Sequence, residues 1–382
     1  MTTKKFTIKV SQAALDDLHD RLGRTRWPDE MPGAGWARGV PMAYLKKLAS
    51  YWRDTHDWRA QEGAINRYPQ FTATVDGMEL HFLHARSPEP NATPLMLIHG
   101  WPGSFVEFLD LIGPLTDPQA YGANPSDAFH VVIPSIPGHG FSASPSAPGW
   151  THARTANAFN QLMSGLGYER YGVQGGDIGA IIAPTMGRLD PTRVIGVHAN
   201  NFLTFPSGDP ADMASLTLAE QQRLGHFKEF QDDMMGYMHI QGTRPQTLSY
   251  GLTDSPIGQL AWTVEKFKEW TNPSAELPED AVDLDGMLTN VSIYWFTGTA
   301  RSSANQYYET FHDPSTFAPK PRSSVPMGVA VFPGDVAIRR FAERTETIVH
   351  WSEFDRGGHF AAMEAPDLLA GDIRAFFRGL PA

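Results

Sequence analysis

The sequence YGVQGGDIGAII, residues 171–182, places an aspartate among small residues, between an apolar run and a helix-like segment. Small residues on both sides allow a sharp turn from a strand into a helix, and such a turn exposes its central side chain at the edge of a sheet. Asp177 is therefore a candidate nucleophile. The same carboxylate would also be a favoured cap for the helix that follows, so this stretch alone leaves both roles open.

A second stretch, LIHGWPGS at residues 97–104, includes the end of a buried apolar run and predicts an oxyanion-stabilising loop. The backbone N–H group of Trp101 is one candidate donor, and the N–H group of Ile178, directly after the aspartate, is the other. An ordinary Gly-Pro turn is the alternative interpretation of this stretch. His99 is interpreted as a structural hydrogen-bonding residue rather than a catalyst.

A histidine and a second carboxylate follow late in the chain. His359 lies in the glycine-flanked stretch FDRGGHFAAMEAP, after the last predicted strand, and Asp335 ends the strand before it. Asp177, Asp335 and His359 thus follow the order nucleophile, acid, base of hydrolases that carry such a turn. Asp335 could instead be a turn residue, and Asp355 is a weaker candidate for the acid.

An aspartate nucleophile restricts the chemistry. A carboxylate that attacks an ester or amide would form a high-energy anhydride, whereas attack on a saturated carbon bearing a strained oxygen or a halide forms an alkyl ester. Because aspartate is ionised at neutral pH, the histidine would activate water against that ester, and the second carboxylate would orient the imidazole. An epoxide oxygen would also need a proton, which a tyrosine can donate, whereas a halide would need N–H donors such as indoles.

The elements around these residues alternate between strand and helix patterns. TATVDGMELHFLHA predicts a hairpin that turns at Asp76-Gly77. Short apolar runs then predict strands at residues 94–100, 129–135, 170–176, 193–200, 327–335 and 347–354, with amphipathic segments between most of them. This alternation indicates an α/β protein with a mostly parallel sheet that helices cover on both faces.

Four parts of the chain follow from these patterns. They are an N-terminal arm over 1–70, a first core part over 71–201, a helical cap over 202–324 and a second core part over 325–382. The cap has no strand pattern and predicts helices at 215–240 and 258–270. The arm predicts one helix, opened by a capping serine, over 11–27, and is expected to pack on the core and the cap.

Composition excludes several classes of partner. The chain has 382 residues, 41% of them hydrophobic, and a net charge of −11, so it is expected to be globular and not to bind nucleic acid or anionic membranes. The absence of cysteine excludes disulfides and thiolate metal sites. The polar N-terminal sequence lacks a signal peptide pattern, and no apolar run is long enough for a membrane helix, so we expect a cytoplasmic protein.

Several motifs resemble the microsomal-type epoxide hydrolases, an α/β-hydrolase family with an N-terminal arm and a helical lid. They are RLGRTRWPDE, LIHGWPGSF, QGGDIGA, GYMHIQGTRPQT, YWFTGTARSSANQYYE, VPMGVAVFPGD and DRGGHFAAMEAPDLLAGDIRAFF. The resemblance extends over nearly the whole chain and implies that Asp177 is the nucleophile, His359 the base and Asp335 its acid partner. It also implies that Tyr237 and Tyr307 are the two lid tyrosines that hold the epoxide oxygen, with Tyr307 preferred over its neighbour Tyr308.

The resemblance further implies a reaction of a hydrophobic epoxide with water to a vicinal diol, without cofactor or metal. Two features depart from the family pattern. The chain lacks the N-terminal membrane anchor of vertebrate members and so resembles the soluble bacterial ones. Ile178 replaces the usual aromatic residue, which implies a less bulky pocket floor and argues against haloalkane dehalogenases, because they use an indole there to bind halide. A dehalogenase, an ester hydrolase, a non-catalytic ligand-binding relative and a homodimer remain open alternatives.

Overall fold

The computed structural model describes residues 1–206, 208 and 210–380, and its centre is one nine-stranded sheet with the order β1-β2-β3-β5-β4-β6-β7-β8-β9. The strands are β1 Thr3–Phe6, β2 Gln70–Val75, β3 Met78–Ala85, β4 Thr93–Ile98, β5 Phe129–Pro134, β6 Tyr171–Gly176, β7 Val194–Asn200, β8 Pro326–Val331 and β9 Thr347–Glu353. Strands β1, β2, β3 and β5 pair in antiparallel fashion, whereas all pairs from β5 through β4 to β9 are parallel. The mostly parallel α/β sheet is the one that the sequence predicts.

The predicted hairpin is present, and its turn residues Asp76 and Gly77 both adopt positive φ angles, of 49° and 75°. The six later strands also form within a few residues of their predicted ends. Strand β1 was missed, because two of the four residues in its sequence TKKF are charged and its side chains are exposed or half-buried. Charged residues are common on edge strands, where they prevent pairing with other molecules, so a hydrophobic pattern cannot reveal such a strand.

Helices cover both faces of the sheet and form a separate layer above its carboxyl edge. In chain order they are α1 Gln12–Gly23, α2 Met42–Asp54, α3 Trp58–Ile65, α4 Leu109–Thr116, α5 His152–Gly165, α6 Gly179–Leu189, α7 Pro210–Ala214, α8 Leu218–Glu229, α9 Gly236–Thr243, α10 Pro245–Asp254, α11 Pro256–Trp270, α12 Leu284–Thr297, α13 Ala300–Phe311, α14 Arg339–Ala342, α15 Ala361–Glu364 and α16 Pro366–Arg378. Among the described helices, none is long and apolar enough to span a bilayer.

Two helix predictions need correction. Helix α1 is capped by Ser11, as predicted, but it ends at Gly23 and does not continue to residue 27. The single helix predicted over 215–240 is divided into α8 and α9 by a π-helical turn at Phe230–Met234. A π-turn inserts an extra residue and shifts the faces of the helix, which hydrophobic periodicity does not reveal.

The sheet is packed between two hydrophobic layers. On one face, residues of α5 and α6 such as Phe159 and Met186 pack with Val173 of the sheet. On the other face, residues of α4 and α16 such as Leu111 and Ile373 pack against the sheet. Burial on both faces explains why the parallel strands have continuous apolar sequences.

The cap and the arm, named here for residues 202–324 and 1–70, share a hydrophobic cluster of their own. Leu260, Val264 and Phe267 recur along one face of α11 and pack against buried residues of α1 and α2. The indole N–H of Trp52 in α2 donates to Ser292 Oγ in α12 at 2.9 Å. The arm therefore holds the outer side of the cap in place. The boundaries of the four predicted parts stay a prediction.

Candidate active site

Asp177 occupies a strained turn at the carboxyl edge of the sheet. Strand β6 ends at Gly176 and helix α6 begins at Gly179, and Asp177 between them has a φ angle of 56°. A non-glycine residue in this region costs about 1–3 kcal/mol, which the surrounding structure must offset. A Cβ atom at Gly179 would lie 2.0 Å from the carbonyl oxygen of Ile98, so only glycine fits there.

The two carboxylate oxygens of Asp177 have different surroundings. Oδ1 accepts a hydrogen bond from the backbone N–H of Trp101 at 3.0 Å, whereas Oδ2 lies 3.6 Å from Nε2 of His359. Ile178, and not Asp177, is the residue that precedes α6, and the helix has no side-chain cap. The helix-cap interpretation of Asp177 is therefore wrong for its side chain. The N-terminus of α6 also leaves backbone N–H groups such as that of Ile178 without helical partners.

His359 is held by the cap as well as by the core. Its backbone N–H donates to the carbonyl oxygen of Trp270, the last residue of α11, at 3.0 Å, and the two rings lie 4.8 Å apart. Glu364 reinforces this connection, because its carboxylate accepts from the N–H of Asn272 at 2.8 Å and from that of Phe360 at 3.0 Å. Burial lowers the pKa of His359, and the charge of Asp177 partly opposes this shift.

Asp335 does not contact His359 directly. The side-chain amide nitrogen of Asn201 lies between them, 2.6 Å from Nδ1 of His359 and 3.3 Å from Oδ1 of Asp335. Within the part of the chain that the structure describes, no hydrogen bond or ion pair joins Asp335 to the imidazole. The expected direct contact is thus replaced by a bridge, because Asn201 follows β7 and fills the space between β6 and β8. The competing carboxylate, Asp355, is exposed.

Both predicted tyrosines lie near Asp177, on cap helices. Tyr237, in α9, stacks on Trp101 with ring centroids 5.1 Å apart, and Tyr307, in α13, packs edge-on against Tyr237 at 6.0 Å. Burial first, and the charge of Asp177 among further causes, raises the pKa of both phenols well above 10. Tyr307 is 7% exposed, whereas its neighbour Tyr308 is 37% exposed and stacks on His312.

A cavity of about 280 Å³ opens beside these residues. Asp177 and His359 lie at its base, and much of its wall is apolar or aromatic, including Phe227, Phe230, Met234, Tyr237, Met238 and Trp270. Asn201 and Asp335 also line it. An apolar wall with a few convergent polar groups is typical of a small-molecule site.

Two residues of this region were not singled out from the sequence. Asn201 immediately follows a predicted strand, and the rule that sites form at the carboxyl ends of parallel strands could have indicated it. Trp270 ends a predicted helix and had no distinguishing signal. His99 is buried, with Nε2 accepting from the N–H of Ile136 at 3.1 Å, and so has the structural environment expected of it.

Comparisons with known proteins identify the fold and the family. Residues 3–108 match the family model described as the epoxide hydrolase N terminus, and residues 93–237 match that of the α/β-hydrolase fold. The fold class predicted from the sequence is thereby confirmed.

Individual relatives extend the likeness to the whole chain. A protein of Stigmatella aurantiaca (strain DW4/3-1), grouped by name with the epoxide hydrolases, is 47% identical over 99% of this chain and 85% of its own. Epoxide hydrolase 1 of Sus scrofa is 37% identical over 98% of this chain and 88% of its own. The crystal structure of juvenile hormone epoxide hydrolase from the silkworm Bombyx mori aligns with a TM-score of 0.90, at 31% identity, over 99% of this chain and 94% of that one.

Proposed function

The chain belongs to the epoxide hydrolase family, and from this premise we propose that it converts an apolar epoxide and water to a vicinal diol through an ester on Asp177. The observation that carries the proposal is the different environment of the two Asp177 oxygens. Oδ1 accepts a hydrogen bond from the backbone N–H of Trp101, whereas Oδ2 faces His359. Asp177 also lines the cavity of about 280 Å³, which we call the large cavity. Oδ1 is therefore placed to carry the negative charge that forms during ester hydrolysis, and Oδ2 is placed to attack the epoxide.

In the first step Oδ2 of Asp177 attacks a ring carbon, and the carbon–oxygen bond of the epoxide breaks. The developing alkoxide receives a hydrogen bond or a proton from Tyr237 and Tyr307. Because the pKa of each phenol is raised well above 10, both remain protonated at neutral pH. The product of this step is an alkyl ester on the enzyme.

In the second step water attacks the ester carbonyl carbon and gives its proton to Nε2 of His359. The negative charge that forms on Oδ1 is stabilised by the N–H groups of Trp101 and Ile178. Collapse of this intermediate breaks the bond between Cγ and Oδ2. The diol leaves with Oδ2 and takes the proton from His359, while Asp177 keeps an oxygen from water. A lowered pKa leaves His359 largely neutral at pH 7, as a base must be.

We assign Asp335 an indirect role. In the structure the amide nitrogen of Asn201 faces Nδ1 of His359. A half-turn of that amide would present its oxygen to Nδ1 instead, so that Nδ1 carries the hydrogen and Nε2 can accept one from water. The carboxylate of Asp335, on the far side of Asn201, then stabilises the imidazolium by the attraction of its charge, without touching the ring.

The substrate class follows from the cavity. Its apolar and aromatic wall fits a hydrophobic alkyl or aryl epoxide, and a volume of about 280 Å³ fits a small organic molecule. A haloalkane dehalogenase is less well supported, because Ile178 offers no indole N–H for a halide. Formation of diol from an epoxide panel, without halide release from haloalkanes, separates the two.

A single turnover in heavy-oxygen water tests the covalent route. With enzyme in excess over epoxide, the first diol should carry no heavy oxygen from water, and the Asp177 peptide should become labelled in the mass spectrum. Labelled diol with an unlabelled peptide would refute the ester on Asp177.

The variants Tyr237→Phe and Tyr307→Phe should each slow ring opening by about 10- to 100-fold, because each removes one hydrogen-bond donor to the leaving oxygen. Hydrolysis of the ester should change little. Rapid mixing with a styrene-type epoxide, followed by tryptophan fluorescence, measures the two rates. Tyr308→Phe is the matched control, since Tyr308 lies outside the site. Equal losses in all three variants would contradict the assignment.

Ester hydrolysis should depend on pH near neutrality. Burial raises the pKa of Asp335 to about 7, although the N–H groups of Phe332 and Asn201 oppose the shift. As pH falls through about 7, Asp335 takes up a proton and the imidazolium of His359 loses a stabilising charge. Single-turnover hydrolysis should therefore slow below this pH while ring opening continues. The variant Asp335→Asn should lack this inflection, and an unchanged inflection would exclude Asp335 as its source.

A further inference from the structure

A second, much smaller cavity also borders Asp177. Its volume is about 10 Å³, close to the minimum for one water molecule. Its lining and that of the large cavity share two residues, Asp177 and His359. Asp177, which acts in the first step, and His359, which acts in the second, therefore border both cavities.

Glu107 supplies a carboxyl group to the small cavity. It lies in the 3-10 turn Phe105–Phe108, directly after the loop that carries Trp101. A Cβ atom at Gly103 would lie 1.3 Å from Oε1 of Glu107, so the glycine makes room for this carboxyl. Within the described residues no cation pairs with Glu107. Burial, and next the charge of Asp177, raises its pKa well above the ordinary value, which favours the uncharged carboxyl.

The rest of the lining gives a small molecule few polar partners. Phe108, Phe360, Ala361, Ala362 and Leu369 are apolar, and the remaining side chains with polar atoms besides Asp177, His359 and Glu107 are those of Asn200 and Trp101. A buried water needs two to four polar partners. The polar side chains that could hold a water here are those of Asp177, His359, Glu107, Asn200 and Trp101.

We propose that the small cavity is the binding site of the water that hydrolyses the ester, and that Glu107 holds this water. The inference rests on the proposed function. After ring opening, the alkyl group of the ester occupies the large cavity next to Asp177, so water cannot easily approach from there. The small cavity borders the same carboxyl group and His359, and none of its other lining residues lines the large cavity, so it can hold a water that the alkyl group does not displace.

The step is balanced without any further reactant. The water oxygen bonds to Cγ of Asp177, one hydrogen passes to Nε2 of His359, and the other stays hydrogen-bonded to the carbonyl oxygen of the Glu107 carboxyl. Collapse breaks the bond between Cγ and the alkyl oxygen, and that oxygen takes up the proton from His359. The second hydrogen, left on the Asp177 carboxyl, replaces the proton that the pair Tyr237 and Tyr307 supplied to the epoxide oxygen, so Asp177 is again a carboxylate. Glu107 neither gains nor loses a proton, so its role is to position the water.

Two variants of Glu107 and one matched control test the proposal. Glu107→Met removes the hydrogen-bonding group at similar length, and Glu107→Gln keeps a carbonyl oxygen. Glu346→Gln is the control. Glu346, directly before β9, is a buried carboxyl whose pKa is also raised, but it pairs with Arg188 in α6. For each protein, rapid mixing gives the rates of ester formation and of ester hydrolysis, and thermal unfolding reports stability.

We expect Glu107→Met to slow ester hydrolysis by about 10- to 100-fold and to change ester formation little, so that the alkyl-enzyme accumulates. Glu107→Gln should show a smaller loss in the same step. Glu346→Gln should lower stability without changing the ratio of the two rates. Equal slowing of both steps, or unchanged hydrolysis, in the two Glu107 variants would overturn the water site. Failure to detect any alkyl-enzyme in the unmodified protein and in His359→Gln would instead refute the proposed function.

Discussion

Asp177→Asn is expected to lower epoxide turnover by about 10⁴-fold or more, because an amide oxygen is a far weaker nucleophile than a carboxylate. The fold should be unaffected. Asparagine has nearly the same shape, its Oδ1 can still accept from the N–H of Trp101, and the strained backbone at position 177 tolerates asparagine as well as aspartate. Diol formation from styrene oxide, followed by chromatography, measures the loss.

The control for this variant is binding. An epoxide or an unreactive analogue should still quench the fluorescence of Trp101 and Trp270, since both indoles lie beside the site. A variant that binds and unfolds as the original protein does, yet forms no diol, places the defect in the chemical step. Turnover close to that of the original protein would exclude Asp177 as the nucleophile.

His359→Gln is expected to stop the reaction after ring opening. Glutamine can still form hydrogen bonds in the same space but cannot take a proton from water, and loss of a general base typically costs about 10²- to 10⁴-fold. One equivalent of epoxide should therefore remain attached to the protein, seen as added substrate mass in the intact chain and on the peptide that contains Asp177. Diol should appear only slowly afterwards.

The double variant Asp177→Asn, His359→Gln provides the control, because it should acquire no mass under the same conditions. Labelling of another peptide, or absence of any adduct in His359→Gln, would contradict the two-step route. The same pair of measurements also separates the open alternatives: an ester hydrolase would form no alkyl adduct from an epoxide, and a ligand-binding relative would bind it unchanged.

Much of the fold could be predicted because the central parallel strands are buried on both faces. Continuous apolar runs such as PLMLIHG and FHVVIPS are required there, and the spacing between them leaves room for one helix. Asp177 could be predicted as a site residue because its tight turn requires small residues on both sides, and these are visible in a short stretch of sequence. The family resemblance carried by the longer motifs is confirmed by the comparisons.

Other features depend on distances between elements, which a sequence pattern does not contain. Chain order identifies Asp335 and His359, but the space between them is set by β6, β7 and β8, and Asn201 occupies it. The contribution of Glu107 to the small cavity likewise could not be predicted from the sequence. Its sequence neighbours are apolar and predict an amphipathic helix, whereas only the packing of the loop above it shows that its half-buried carboxyl lines the small cavity. Tyr307 could be chosen over Tyr308 only through the resemblance.

The attachment of the His359 loop to the end of α11 sets a condition for chimaeras between relatives. A graft that exchanges residues 202–324 alone would bring in a foreign Trp270–Asn272 segment and leave its hydrogen-bonding partners, His359 and Glu364, behind. Such hybrids would inherit a new pocket but a poorly placed base. Transplanting residues 357–364 together with the exchanged region keeps the two halves matched, so recombination libraries should treat them as one module.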